Sequence, residues 1–499
     1  MRASFWYLGQ VSEQRMECGP KNRSNEVYLI EPILSFVSWM LSRFSSGVLG
    51  VLSLCAVLAV AGCSSQSNQF THEPSAQDDT KIKVQVNSHI PLVVNITWNN
   101  DEKLRGRVTF WSDTEEERST PLSEFAKKGQ LDMLGLLPTT EYHYLIELED
   151  EDGVGEEHVG TVTTGALSPY LPLLNVEELA PSTGYTLVPL VTGEGTGEPS
   201  LVILNPEGQI VWYVILPTLA APTAAVFAED LKHAYLQVGR TILQIPLNGE
   251  DQTVLQTPDG HHDLVETDPN TVAYLKYEFL EHNGATIQSD SIVEILPSGE
   301  IREVWNFFDH LDDFSLTESD FDIYDSFTDL THGNSLQYSK EDDSFVVNFT
   351  GNVKGVAKVS RSTGETVWGV SQNTGWTYDL DAAEEFSITH DIAIINDQEF
   401  LFFVNITEQS ECARIAHVQL DDQSSLATSD WVHGEDDCLT VFGLGGLQLQ
   451  ENDNTQVVWS TAGRMEEYDS SGQLVKRIES TFGYGFGYAH HMESLYAVD

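Results

Sequence analysis

The sequence predicts an all-β chain, a six-bladed β-propeller preceded by a small β-sandwich domain. Three observations carry that reading. From Lys81 onward the chain is a series of short runs with alternating apolar residues and no long helical pattern between them, and a period of two marks strands. From Leu201 a strand–turn–strand unit recurs six times, as in arrays whose units bury their faces against one another. Three further hairpins each open on a histidine: His262 in "HHDLVETDPNTVAYLKYE", His332 in "LTHGNSLQYSKEDDSFVVNFT" and His390 in "FSITHDIAIINDQEFLFFVN".

Taken in order, the chain begins with an export signal. Residues 40–62 read as a lipoprotein signal peptide: Met40, Arg43, an apolar run from Gly47 to Gly62, and small residues before Cys63. The run is short for a bilayer span. Val60-Ala61-Gly62-Cys63 resembles the bacterial lipobox, whose cysteine is lipidated and becomes the first mature residue. The expected location is therefore the cell envelope, with Cys63 anchoring the chain in a membrane, the outer one by preference, and the rest facing the periplasm. Residues 1–39 stand upstream of this complete signal, which makes Met40 the expected start. Residues 63–80 are polar and aperiodic, as a tether should be.

Residues 81–168 carry the runs "IKVQV", "LVVNITW", "RVTFW", "YHYLIEL" and "HVGTVTT" at short intervals, the pattern of a sandwich. "GLLPTTEYHYLIEL" resembles the Leu-x-Pro-x-Thr-x-Tyr corner of fibronectin type III domains, with Tyr142 at the corner. Residues 169–499 hold the six repeats. Five have a turn glycine (Gly208, Gly249, Gly299, Gly364 and Gly472), where a positive φ is expected.

Charge narrows the partners. Lys plus Arg number 25 against 77 Asp plus Glu, a net charge of −52 over 499 residues. Phosphate binding needs basic surface, so nucleic acid is not an expected partner. Beyond residue 62 the cysteines are Cys63, Cys412 and Cys438. With Cys63 lipidated, the other two are the one possible intrachain pair, and an oxidising compartment favours their disulfide over two free thiols.

In a propeller the innermost strands line a central channel, so residues at matching positions on successive blades converge. His262, His332 and His390 each begin the first strand of a unit and should meet at one mouth. Clustered imidazoles bind a metal, move protons or attack an electrophile. Asp263 and Asp391 are the carboxylates a metal site would draw on. In a regular strand His332 and Asn334 face the same side, and an amide beside imidazoles can hold the oxygens of an oxyanion.

These residues also carry a family resemblance. "HHDL", "DLTHGNSLQY", "THDIAIINDQEFLFFVN" and "GGLQLQENDNTQVVWSTAGRMEEYDSSG" resemble successive blade motifs of bacterial arylsulfate sulfotransferases. The resemblance covers roughly residues 170–499. It implies that His390 is the nucleophile that takes a sulfuryl group from an aryl sulfate, and that a phenol then collects it without a nucleotide sulfate donor. It implies that His332 and Asn334 hold the sulfuryl oxygens, and that His262, or less directly His261, assists proton transfer. No cofactor or metal is implied; a homodimer is. The family has an arginine in the strand paired with the His-x-Asn strand, and hairpin register puts that position near Thr350. No arginine lies there, and Lys354 is the nearest cation in sequence, so Thr350 and Lys354 join His261 as expected substrate-binding residues. The alternatives are a non-catalytic propeller that binds a small anion, glycan or protein, and a metal-dependent hydrolase.

Overall fold

The computed structural model describes residues 81–192, 198–218, 220–371, 374–378, 389–405, 412–421, 423–433, 438–481 and 484–497. Cys63, with the expected signal and tether, lies outside the described residues.

Six successive sheets form the propeller, here called blades I to VI. The six strand–turn–strand repeats are the outer parts of these sheets. In blade III, for example, "IVEILPSGEIREVWNF" supplies the strands Ala285–Ile295 and Ile301–Asn306. The histidine-led hairpins are the inner parts: Gly260–Asp268 with Thr271–His282 in blade III, Gly333–Ser339 with Ser344–Thr350 in blade IV, and Thr389–Asn396 with Glu399–Val404 in blade V. The expected propeller with its six blades is therefore present, preceded by the sandwich.

Both ends of the propeller close the ring. Leu174–Glu178 pairs with Leu474–Ser480 and becomes the outermost strand of blade VI. Tyr484–Phe486 and His490–Met492 pair with Tyr185–Thr192 and form the innermost edge of blade I. The repeat pattern does not reveal this exchange, because neither segment carries a turn unit of its own. The ring encloses a cavity of about 320 Å³, lined from all six blades by residues that include Ala225, Asp263, Leu336, Asp391, Leu447 and Tyr488.

In the sandwich one long strand, Val94–Trp111, serves both layers. Its first part pairs with Lys81–Val86 and Ala126–Met133, and its second part with Glu141–Asp150. Trp98, Phe110, Tyr142 and Ile146 fill the space between. Gly129 has no Cβ because Trp98 lies across it; a Cβ there would stand 1.9 Å from the indole. Tyr142 is buried, and its hydroxyl accepts the Leu137 N–H at 2.8 Å. Residues 76–499 form one unit. Ile90, Val93 and Leu134 of the sandwich share a core with Leu187, Trp212 and Leu236 of the propeller.

Cys412 and Cys438 are bonded, with Cα atoms 4.7 Å apart. They stand just before Arg414–Asp421 and just after Leu426–His433, and so staple the base of the outer hairpin of blade V.

Candidate active site

His262, His332 and His390 stand at the starts of the innermost strands of blades III, IV and V, on one face of the ring. None sits in a regular strand. The ladder of blade III is bulged between His261 and Leu264, that of blade IV between Gly333 and Leu336, and that of blade V between Thr389 and Asp391. His262 and His332 have φ of 51° and 48°, a left-handed backbone that costs energy in a residue with a Cβ. Bulges re-aim side chains, and here they turn imidazoles toward the mouth.

A bulge leaves backbone groups without ladder partners, and burial requires that they be satisfied. Side chains do this across the blades. Asp263 accepts the N–H of Leu264 and, from blade IV, of Leu336, both at 2.8 Å. Asp391 accepts those of Ile392 and, from blade VI, of Leu447 at 2.8 and 2.7 Å. The Thr389 carbonyl accepts the amides of Asn334 at 3.2 Å and Asn348 at 2.5 Å. The Tyr488 hydroxyl lies 2.8 Å from the His390 carbonyl and 3.1 Å from that of Asn334.

The rings lie close together. The centroids of His262 and His332 are 5.2 Å apart, and those of His261 and His262 are 5.1 Å apart. Burial first, then repulsion from His261, His332 and His390, holds His262 well below the usual imidazole range. His332 differs. Burial works to lower it, but Asp329, whose carboxylate is 2.7 Å from His332 Nδ1, outweighs that with help from Asp290 and raises it. One imidazole is thus held neutral beside another that favours the charged form.

Several expected residues have other partners. His261 is 4% exposed and stacks on Tyr277 at 3.7 Å. Thr350 lies opposite His332, as register predicts, with its hydroxyl between the Asn334 amide and the His332 carbonyl. Lys354 is its partner across the next strand pair. Strand alternation fails to put His332 and Asn334 on one side, because the bulge intervenes. His332 keeps a 39% exposed side chain, whereas Asn334 is fully buried and commits its amide hydrogens to Thr350 and Thr389. Asp263 and Asp391 likewise commit oxygens to backbone amides. Among the described residues no group of three or more His, Cys, Asp or Glu is placed to hold a metal ion.

Sequence reasoning missed Asp290, Asp329 and Tyr488. Asp329 is three residues before His332, a local signal. Asp290 lies in the strand "ATIQSDSIVEI", buried along nearly its whole length, and a buried carboxylate needs a partner, but the strand's other polar residues leave nothing to single it out. For Tyr488 there was no comparable cue.

A six-bladed propeller with histidines from three consecutive blades at one mouth is the class that fold and site define. The arylsulfotransferase (ASST) family model matches residues 175–424, half of the chain, and the chain belongs to that family. It is accordingly a sulfotransferase-type enzyme. No curated protein matches it. Among solved structures it is similar to a streptogramin B lyase (11% identity, 62% of this chain and 88% of that one, TM-score 0.35). It is also similar to a virginiamycin B lyase from Staphylococcus aureus (13% identity, 62% and 100%, TM-score 0.35). Neither likeness bears on activity.

The buried acids predict a pH effect on stability. Burial pushes the Asp263 carboxyl up to about 7, despite its two backbone hydrogen bonds. Burial and then the Asp263 charge push Asp391 well above the usual range. A carboxyl raised on folding contributes stability that is fully present below its unfolded pKa and is lost as pH rises through its folded one. The melting temperature should therefore fall between about pH 5 and 8, and fall less steeply in Asp263→Asn. The high net negative charge adds its own slope, so the comparison is between variant and wild type. Equal slopes would contradict this account of Asp263.

Proposed function

We propose that the protein transfers a sulfuryl group from an aryl sulfate to a phenol through a sulfohistidine on His390. The observation that carries the reading is the convergence of His262, His332 and His390 at one mouth, in a chain of the arylsulfotransferase family. A ring nitrogen of His390 attacks sulfur, the bond between sulfur and the aryl oxygen breaks, and the phenol leaves with a proton from His262. The acceptor phenol then attacks sulfur in turn and frees the histidine. Splitting the transfer into two displacements is what a covalent nucleophile offers.

The remaining groups fit the charges involved. A sulfuryl group presents anionic oxygens, and His332, favoured as a cation by Asp329, supplies positive charge where the family pattern has an arginine. This is a single charge rather than a bidentate fork, so it orients the anion less strictly. His262, held neutral, is suited to exchange a proton with the bridging oxygen. Asn334 braces the carbonyl of Thr389, directly before the nucleophile. The exposed rings of Phe279, Phe327 and Phe442 stand on segments that overhang or enter the innermost strands on the histidine side, and they suit an aromatic substrate.

Two variants test the assignment. His390→Asn should abolish transfer from a chromogenic aryl sulfate to added phenol and leave the melting temperature within a few degrees of wild type. Full activity in that variant would end the reading. Asp329→Asn removes the group that raises His332. The charge on His332 is present below its pKa and lost above it, so the alkaline limb of the transfer rate should move to lower pH. An unmoved limb would remove His332 from the role of cation.

A further inference from the structure

We propose that Asp290, His261 and His262 form a proton relay, in which His261 stores the proton that His262 exchanges with the bridging oxygen of the aryl sulfate. The proposal rests on the sulfuryl-transfer reading and gives His261 and Asp290, which do not touch the reacting atoms, the part of positioning residues.

The geometry is a chain of contacts. Nδ1 of His261 is 2.8 Å from Nδ1 of His262, and Nε2 of His261 is 2.9 Å from Oδ1 of Asp290. The second contact is oblique to the N–H direction, so it acts as an ionic contact more than a linear hydrogen bond. His261 is clamped: Tyr277 stacks on its face with the planes 6° apart. Asp290 is 1% exposed, and its other oxygen accepts the Thr331 hydroxyl and the Gly333 N–H, both at 2.6 Å. Gly333 permits this approach, since a Cβ there would stand 3.1 Å from that oxygen. Burial alone would raise the Asp290 carboxyl; His261 and these two donors outweigh it and hold it below the usual range. The other titratable groups facing the histidine pair are His332 and Asp329 from blade IV, His390 from blade V, and Tyr277 with Arg240, from the turn of blade II, over it. Arg240 is itself paired with Asp259 at 2.7 Å.

Two nitrogens 2.8 Å apart share one proton, and this sets the tautomer of His262. When His261 is neutral it keeps its proton on Nε2, facing Asp290, and its Nδ1 accepts from Nδ1–H of His262. Nε2 of His262 then carries a lone pair and is a base. When His261 is an imidazolium its Nδ1–H donates to His262, which must then carry its proton on Nε2 and is an acid. His262 is never charged in either form, as its surroundings require, while the cation sits on His261 beside a carboxylate.

The proton balance closes over the cycle. In the first displacement the S–O(aryl) bond breaks as His390 bonds to sulfur. The leaving oxygen takes the Nε2 proton of His262, whose Nδ1 takes the proton of His261, which becomes neutral. In the second displacement the acceptor phenol gives its proton to Nε2 of His262 as its oxygen bonds to sulfur and the His390–sulfur bond breaks. His262 returns a proton from Nδ1 to His261. Asp290 stays ionised throughout, and no other proton donor is needed.

The test uses the full chain and a series of aryl sulfates whose leaving phenols range from nitrophenol to alkylphenols, with one fixed acceptor. A relay matters most for the least acidic leaving group. In Asp290→Asn and His261→Gln the loss of rate should grow along the series, reaching on the order of 10²-fold more for an alkylphenyl than for a nitrophenyl sulfate. An equal loss for every donor would mean that both residues serve structure alone and would overturn the relay. If wild type itself releases no phenol from any donor, the sulfuryl-transfer reading fails, and the relay with it. His261→Gln leaves the bonds of Asp290 to Thr331 and Gly333 in place, so it carries the test if Asp290→Asn does not fold. Carbon-13 spectra of labelled histidine give a readout independent of turnover. At alkaline pH, with His261 in its neutral form, His262 should carry its proton on Nδ1 in wild type and on Nε2 in Asp290→Asn, whose amide can turn a donor toward His261. The same tautomer in both would overturn the proposal.

Discussion

The backbone that a bulged strand leaves without ladder partners is the constraint on which the site depends. Each histidine leaves its blade at a bulge, and each bulge frees N–H and C=O groups inside the ring. An unsatisfied buried group of this kind costs about 1–3 kcal/mol, so the bulges persist where side chains of neighbouring blades answer them. Asp263 and Asp391 hold the amides of Leu336 and Leu447 in the next blade. Asn334 and Asn348 hold the carbonyl of Thr389, and Tyr488, from the closing segment, sits against the carbonyls of Asn334 and His390. The same bonds that stabilise the distorted strands join one blade to another. Histidine position and ring closure are therefore one problem.

Electrostatics then gives identical side chains different work. His262 is neutral because burial and three other histidines oppose its charge. His332 favours the cation because Asp329 is at its Nδ1. His261 lies between His262 and the buried Asp290. Pairs of titratable groups pushed in opposite directions are the usual mark of acid–base assignments, and for His262 and His332 the carboxylate of Asp329 beside the latter decides the difference.

Much of this was legible in the sequence, for identifiable reasons. The six outer hairpins repeat, five of them with a turn glycine, so the propeller could be counted. The three histidines lead equivalent strands, so their convergence followed from blade geometry. Thr350 was placed opposite His332 by hairpin register, and Cys412 with Cys438 by elimination. What the sequence did not yield was local irregularity and long-range pairing. Alternation put His332 and Asn334 on one side, because a period-two rule holds only where the ladder is unbroken. Asp290 contacts His261 from the second strand after it, among Gln288, Ser289, Ser291 and Glu294, where nothing local singles it out. Ring closure by Leu174–Glu178 and by the two segments at Tyr484–Phe486 and His490–Met492 pairs residues some 300 apart in the chain, which no local pattern encodes.

The central claim is that His390 carries the sulfuryl group between two phenols. The most direct measurement is mass mapping of the wild-type protein after incubation with an aryl sulfate and no acceptor, because the second displacement then has no phenol to complete it. The account predicts an increment of about 80 Da, one sulfuryl group, on the peptide that contains His390, discharged when a phenol is added. Phenol released with no such increment, or an increment that maps to another residue, would contradict it.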